Sequence, residues 1–154
     1  MCERRRMFVS DDILSLKMVE RRMRDTECGI VDGYTLDIYP RDETRPAGYV
    51  SLRIGESPEL YYLGHIGYRV YNEFRGHGYA AHAVRLLFPL MREHGLRSVV
   101  ITTNPENAAS RATCRNLGCV LENIVPVPQA YRELCMGAAH KCRYILYPFA
   151  PGEV

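Results

Sequence analysis

The sequence lacks a C-x-x-C pair, an apolar run long enough to cross a membrane and any sizeable excess of charge. The irregular gaps between its six cysteines fit neither a zinc site nor the disulfide frame of a secreted protein. With 20 basic and 18 acidic residues, the net charge is only +2, so no nucleic acid or other polyanion is expected as a partner. Two basic clusters, Arg4 to Arg6 and Arg21, Arg22 and Arg24, have no interleaved aromatic residues and are expected to be solvated.

These absences predict a cytoplasmic protein with reduced thiols and no metal. The start "MCERRRMFVSDD" is basic, but its apolar run covers only Met7 to Val9, which is too short for a signal peptide. The longest apolar-rich segment, Tyr79 to Met91, is interrupted by charged residues and Pro89, so no membrane contact is expected. The 154 residues are most simply one domain, 1–154.

Apolar periodicity predicts a helix, three antiparallel strands, and then helices alternating with strands. Ser10 is expected to cap a first helix over residues 11–24. Its apolar residues at helical spacing are Ile13, Leu16, Val19 and Met23. The segment "GESPEL" is interpreted as a turn, and Pro89 predicts a bend in the second helix. The predicted strands are 34–40, 48–55, 64–71, 98–103, 119–127 and 141–148, and the later helices are 78–94 and 106–118.

The stretch "NEFRGHGYAAHAVRLL" places two glycines at the start of the second helix. Gly76, Gly78 and Ala81 satisfy the loose dinucleotide pattern G-x-G-x-x-G/A. That pattern also needs an acid about 20 residues further on, but position 101 is Ile101. Too little chain follows for a doubly wound dinucleotide domain, and no G-K-[ST] phosphate loop occurs. The alternative is a nest of backbone N–H groups for a diphosphate, which glycine leaves unobstructed and the helix dipole favours.

The hexapeptide "RGHGYA" resembles the R/Q-x-x-G-x-G/A signature of the GCN5-related N-acetyltransferases, with Arg75, Gly78 and Ala80 at the matching positions. Asn107, Ser110 and Gly118 further resemble the family's second helix. The resemblance covers roughly residues 30 to 148 and implies an α/β (α+β) fold. This fold is a mixed, mostly antiparallel sheet of six to seven strands, flanked by helices and splayed between the fourth and fifth strands, here 64–71 and 98–103.

The family resemblance also implies acetyl-CoA as cosubstrate. Its diphosphate would bind the loop, and its pantetheine arm would pair with the backbone near Val70 like an added strand. The residues that the resemblance assigns to the coenzyme are Val70, Arg75, Gly76, His77, Gly78, Tyr79, Ala80, Asn107 and Ser110. The acceptor pocket is expected between the first helix, the loop near 25–33 and the segment 128–140.

The catalytic groups are less clearly marked. Many family members carry a tyrosine seven residues after the helix asparagine as the acid for the leaving thiolate, but this chain has Cys114 there. Cys114 is therefore a candidate acid, with a small buried cysteine as the alternative. His65 is the candidate base because it lies on a wall strand of the cleft, with a structural histidine as the alternative. Glu73 is expected to be a solvated charge.

Two functions remain open at this level. The first is an acetyl-CoA-dependent N-acetyltransferase acting on a primary amine of a small molecule, peptide or protein. The second is a non-catalytic acyl-CoA-binding or regulatory module, which the missing tyrosine makes plausible. The sequence does not define the oligomeric state, and a homodimer stays open.

Overall fold

The computed structural model describes residues 8–21 and 25–149. The predicted basic clusters at Arg4 to Arg6 and at Arg22 and Arg24 lie outside these residues. Eight strands form one sheet in the order β1-β2-β3-β4-β5-β6-β8-β7. The strands are β1 Phe8–Ser10, β2 Leu14–Arg21, β3 Ile30–Pro40, β4 Gly48–Gly55, β5 Ile66–Val70, β6 Val99–Thr103, β7 Val120–Pro126 and β8 His140–Leu146. The helices are α1 Pro58–Leu63, α2 Tyr79–Leu86, α3 Phe88–Glu93 and α4 Ala108–Asn116.

The sheet is antiparallel except where β5 meets β6. These two strands run parallel and share one register pair, Ile66 with Ile101. By contrast, β6 and β8 are paired over five residues on the other side of β6. Beyond Ile66, β5 therefore separates from β6 and leaves a gap in the sheet. The predicted mixed sheet with a splay between strands 64–71 and 98–103 is confirmed, although with eight strands rather than six or seven.

One face of the sheet forms the core. Leu36, Ile38, Val50 and Leu52 alternate along β3 and β4 and have no exposed surface. Helices α2, α3 and α4 cover this face and complete one apolar cluster. Burial of this alternating face supplies the main stabilisation of the fold, since removal of apolar surface from water gives roughly 25 cal/mol per Å².

The opposite face, which we call the α1 face, carries more polar residues and the short helix α1. Thr102 on β6 donates its hydroxyl to the carbonyls of Tyr62 and Leu63 in α1, both at 3.0 Å. The turn predicted at "GESPEL" is thus partly wrong, because α1 begins within it. Ser57 is its N-cap, accepting from the Leu60 N–H at 3.0 Å, and Pro58 opens the first turn. A Ser-Pro-Glu start of this kind is a recognisable helix signal.

The predicted first helix, 11–24, is wrong over the residues described. Leu14 and Leu16 are 1% and 0% exposed, whereas Ile13 and Val19 are about half exposed at 49% and 57%. This is the two-residue period of a strand with one buried face. Ser10, the predicted cap, ends β1. The next residue, Asp11, stabilises the turn between β1 and β2. Its carboxylate accepts from the N–H groups of Ile13 and Leu14.

The second predicted helix is interrupted, as Pro89 indicates. Two helices, α2 and α3, meet at Leu87, and Pro89 lies in the first turn of α3. The helix predicted over 106–118 is α4, followed by Gly118 at a φ of +77°. Within the described residues, no helix is both long and apolar enough to cross a membrane.

Replacing Asp11 with alanine is expected to lower stability by about 1 kcal/mol at neutral pH. Burial alone would raise the pKa of Asp11, but hydrogen bonds from Leu14, Ile13 and His82 together lower it from 3.8 to about 2. A lowered folded-state pKa stabilises the fold above the unfolded pKa, and this contribution is lost as the pH falls from about 4 to about 2. Urea unfolding of the wild-type and Asp11→Ala proteins should therefore give free energies of unfolding whose difference shrinks as the pH falls from about 4 to about 2. Asp12→Ala is the control, since the Asp12 side chain has no hydrogen bond to the described residues; an Asp11→Ala difference independent of pH would contradict the assignment.

Candidate active site

A cavity of about 560 Å³ lies where β5 leaves β6. Its walls are the end of β5, the loop that follows, the start of α2 and one side of α4. Met136 also lines the cavity, is 95% exposed and has a positive φ of 56°. The lining residues are Tyr49, Tyr68, Arg69, Val70, Phe74, Arg75, Gly76, Gly78, Tyr79, Ala80, Asn107, Ala109, Ser110, Thr113 and Met136.

The loop before α2 has the backbone that an anion site needs. Gly76 and Gly78 have φ angles of +91° and +73°, a region that residues with a Cβ adopt at a cost. Gly78 is the N-cap of α2 and supplies no side chain to pair with the first N–H groups of the helix. Nothing lies within 4 Å of where a Cβ at either glycine would be. The bare helix start therefore faces open space, where its N–H groups and dipole favour an anion.

Arg75 folds back onto the end of β5. Its Nε donates to the Val70 carbonyl at 2.9 Å. The backbone of Val70 is expected to pair with a pantetheine arm. In this conformation the Val70 carbonyl instead accepts a hydrogen bond from the Arg75 side chain. His77 is exposed, lies outside the cavity lining and stacks on Tyr79 with ring centroids 5.1 Å apart. Glu73 forms an exposed ion pair with Arg45 at 3.5 Å.

The wall opposite the loop is the first turn of α4. Asn107 caps this helix, with Oδ1 accepting from the Ser110 N–H at 3.1 Å. The Ser110 hydroxyl is 2.7 Å from the Tyr68 hydroxyl on β5. The structure thus brings the loop, Val70, Asn107 and Ser110 around one cavity, together with Tyr68.

Cys114 lies behind this wall. It has no exposed surface and does not line the cavity. A hydrogen bond from the Cys119 thiol lowers the pKa of Cys114 despite its burial, and the same contact raises the pKa of Cys119. The Cys119 N–H also donates to the Cys114 carbonyl at 3.0 Å, past Gly118. Contact between these two positions is typical of a glycine-terminated helix, which gives the cysteine pair a packing role.

Tyr68 is the polar group that the sequence analysis did not single out. It shares the inward face with Ile66 and Val70, where a tyrosine needs a partner for its hydroxyl. Burial raises the pKa of Tyr68 above its ordinary value, and neighbouring Cys114 adds to the rise, whereas the Ser110 hydrogen bond opposes it. Tyr68 therefore keeps its proton at neutral pH.

His65, the candidate base, lies outside the cavity lining, at the closed end of the gap. Its Nδ1 accepts from the Val100 N–H at 3.0 Å. Its Nε2 is 3.2 Å from both the Gly55 carbonyl and a Glu56 carboxylate oxygen. Both ring nitrogens are thus engaged in bonds that join β5 to its neighbours. This position favours the structural alternative over a role as general base.

Replacing His65 with alanine is expected to lower stability by about 1–3 kcal/mol, because the Val100 N–H loses its acceptor. The value of kcat should stay within about twofold of wild type, with the same pH profile. Chemical unfolding and steady-state kinetics at several pH values check both statements. His94→Ala is the matched control, since it removes the 2.6 Å contact of another histidine with Tyr34. A folded His65→Ala protein without the acidic limb of the kcat/KM profile would restore His65 as the base.

A second cavity, of about 660 Å³, lies between the β1–β2 turn and the β3–β4 connection. Asp11, Asp12, Asp42 and Glu43 line it. This concentration of carboxylates opposes a diphosphate, so the smaller cavity at the gap is the better candidate site.

The fold and the cavity together define a class of protein. It has a mixed sheet that opens between two parallel strands. The helix that follows the first of these strands begins at glycines of positive φ that face open space. Residues 3–120 match the model of the acetyltransferase (GNAT) domain. The chain belongs to this family, and the expectation of an acyltransferase is confirmed at that level.

Solved structures agree on the fold. The microcin C7 self-immunity acetyltransferase MccE, in complex with acetyl-CoA and AMP, is 24% identical with a TM-score of 0.58, and the match covers 75% of this chain and 61% of that one. RimL, a ribosomal L7/L12 alpha-N-protein acetyltransferase in complex with coenzyme A, is 16% identical with a TM-score of 0.64, covering 92% and 98%. The ribosomal-protein-S5-alanine acetyltransferase from Vibrio fischeri is 20% identical with a TM-score of 0.60, covering 75% and 62%. No curated protein matches the sequence.

Proposed function

We propose that this protein binds acetyl-CoA in the cavity at the β5–β6 gap and transfers the acetyl group to a primary amine. The observation that carries the proposal is the bare, positive-φ start of α2 beside a gap in the sheet. Two of the similar structures contain acetyl-CoA or coenzyme A, which supports the choice of cosubstrate.

The backbone N–H groups of residues 76–80 would hold the diphosphate. The Arg75 guanidinium adds positive charge at the same place, and its release from Val70 would free that carbonyl for the pantetheine arm. Asn107 and Ser110 border the cavity from α4. His77, which is exposed beside the loop, would contribute through its backbone rather than through its ring.

The main task of the protein in this reaction is to position the amine beside the thioester, because a thioester is already an activated acyl donor. The amine nitrogen forms a bond to the thioester carbonyl carbon and the C–S bond breaks. The sulfur takes a proton from a side chain, the amine nitrogen releases one to solvent water, and the side chain regains its proton from the solvent. We assign the proton for the sulfur to the Tyr68 hydroxyl, which is protonated and lines the cavity. Tyr68 thus takes the role that the sequence suggested for Cys114, and Ser110 orients its hydroxyl.

The acceptor is best described as an amine of lowered pKa. A lysine amine with a pKa of about 10.4 needs about 4–5 kcal/mol to be neutral at pH 7, whereas an α-amine at about 7.7–8.0 needs about 1 kcal/mol. Since both ring nitrogens of His65 are engaged by other groups, an acceptor amine that is already partly neutral fits this site better. An α-amine of a peptide or small molecule is therefore the proposed acceptor.

Calorimetric titration with acetyl-CoA, followed by thiol release across a panel of amines, tests the proposal. Binding together with thiol release that depends on an amine is the expected result. No binding at millimolar acetyl-CoA would overturn the proposal. Binding without thiol release with any amine would instead favour the non-catalytic acyl-CoA-binding module. Burial of Cys114, the acid that the sequence suggested, is the observation that supports this alternative.

A further inference from the structure

The cavity at the β5–β6 gap has lining residues from both faces of the sheet. Tyr68 and Val70 line it from the face that packs against the helices, whereas Tyr49 and Arg69 line it from the α1 face. Tyr49 pairs with Arg69, and the buried Val50 pairs with Tyr68, so the two pairs point to opposite faces. Since the proposed diphosphate site at the start of α2 lies on the helix side, the α1 face is the side left for the acceptor.

Asp37 lies beside the opening on the α1 face. It alternates along β3 with the core residues Leu36 and Ile38, so its side chain leaves the strand on the opposite face. Strand pairing places Asp37 directly opposite Tyr49, and Tyr49 directly opposite Arg69. Neighbouring strands are about 4.8 Å apart, so the backbone of Asp37 is roughly 10 Å from that of Arg69. We call these three residues, which lead from the gap across the sheet, the Asp37 row.

The Asp37 carboxylate is half-buried and has no hydrogen-bond or ion-pair partner among residues 8–21 and 25–149. Lys17 is its neighbour on β2, but the Lys17 ammonium lies over the Tyr39 ring, 4.8 Å from the ring centroid. Burial raises the pKa of Asp37 from its ordinary value, as expected for a carboxylate whose charge no donor stabilises. A cation that reaches this carboxylate would therefore be bound favourably.

The charges along the Asp37 row determine where a cation of the acceptor would lie. Arg69 is exposed beside the gap and has no acid partner in the described part of the chain, so a second positive charge next to it is disfavoured. The same charge favours the neutral form of a reacting amine, because a nearby cation lowers the pKa of an amine. Asp37, two strands away, instead favours a positive charge. An amine at the gap is thus best matched with a cation roughly 10 Å further along the row.

We propose that the acceptor is a peptide with a basic side chain at its third or fourth position, and that Asp37 binds this side chain while the α-amine faces the gap. This inference rests on the proposed acetyl transfer and adds its substrate class. An extended peptide advances about 3.3 Å per residue, so a basic residue at either position reaches Asp37 from the gap. Tyr49, which is 36% exposed, would contact the peptide between its two ends.

Thiol release with matched peptides tests this assignment. Each peptide is alanine-based, has a free α-amine and carries one arginine at the second, third or fourth position; its partner carries citrulline, the neutral analogue, at the same position. Wild-type protein should prefer arginine at the third or fourth position by about fivefold or more in kcat/KM, the upper end for an ion pair that is not fully buried. At the second position, which is too close to Arg69, the two peptides should react at similar rates.

Asp37→Asn should bring the arginine-to-citrulline ratio close to one, and Asp37→Glu should keep part of the preference. Because the ratio compares two peptides on one protein, a smaller fraction of folded protein does not alter it. Glu93→Gln is the matched control, since it removes the same charge from the end of α3, on the other face of the sheet, and should keep the wild-type ratio. Lys17→Met should keep or raise the ratio, because it removes a neighbouring cation that competes for Asp37.

Three results would overturn the assignment and leave the acetyl transfer intact. These are equal rates with both members of every pair, thiol release with other amines but with no peptide, and an arginine preference that survives in Asp37→Asn. Failure of acetyl-CoA to bind would instead remove the proposed function and this inference with it.

Discussion

Replacing Tyr68 with phenylalanine is expected to lower kcat by about 100-fold or more, the lower end of what a positioned general acid contributes. The phenylalanine ring keeps the packing between β5 and α4 and removes only the hydroxyl, which is 2.7 Å from Ser110. The KM for acetyl-CoA should change little, because the loop before α2 is untouched. Steady-state thiol release at saturating amine, with KM measured separately, checks both statements.

Tyr144→Phe provides the matched control for this substitution. Tyr144 is a buried tyrosine that does not line the cavity, and its hydroxyl accepts from Arg111 at 3.0 Å. Its loss should cost stability but leave kcat within about twofold. If Tyr68→Phe keeps full activity while Cys114→Ala loses it, then Cys114 is the acid, as the sequence alone suggested.

Gly78→Ala is expected to raise the dissociation constant for acetyl-CoA by at least about 10-fold. The φ of +73° at Gly78 costs an L-residue roughly 1–2 kcal/mol, and relaxation toward negative φ would turn the N–H groups of Tyr79 and Ala80 away from the cavity. The added Cβ would also enter the open space beside the loop. Calorimetric titration gives the affinity, and chemical unfolding gives the accompanying loss of stability.

Gly95→Ala separates the two effects. Gly95 has a φ of +74°, and a Cβ there would also meet nothing within 4 Å, but it follows α3 and does not line the cavity. Both variants should lose similar stability, while only Gly78→Ala loses affinity for the coenzyme. Equal affinities in the two variants would place the diphosphate somewhere other than the start of α2.

The sequence was most informative where one local signal decides the structure. The alternation of Val50 and Leu52 predicted β4, and Pro89 predicted the interruption between α2 and α3. It was misleading at residues 11–21, where two patterns overlap. Leu14 and Leu16 fit the two-residue period of a strand, whereas Ile13, Leu16 and Val19 fit the spacing of a helix. Pairing of β2 with β3, the next strand along the chain, decided that conflict in favour of a strand.

The candidate site likewise has one part that local sequence motifs predict and another that depends on packing between distant segments. The loop around Gly78 and the cap at Asn107 are local motifs, and both line one cavity. That this cavity binds the coenzyme stays a prediction. The contact of Tyr68 with Ser110 depends on how two elements that are distant in sequence pack together. No local pattern reveals that His65, directly before β5, uses both of its ring nitrogens in contacts with Val100 and Gly55.

The single register pair between Ile66 and Ile101 also bears on how the protein opens locally. Strands β1 to β5 form one run of sequential antiparallel neighbours, and β6, β8 and β7 form another, so few sheet hydrogen bonds connect the two groups. We expect such groups to behave as separate cooperative units in hydrogen exchange, with local opening at the boundary between them. A coenzyme bound along β5 would span this boundary. It would then act as a removable cross-link, and each cycle of binding and release would couple turnover to the rigidity of the whole domain.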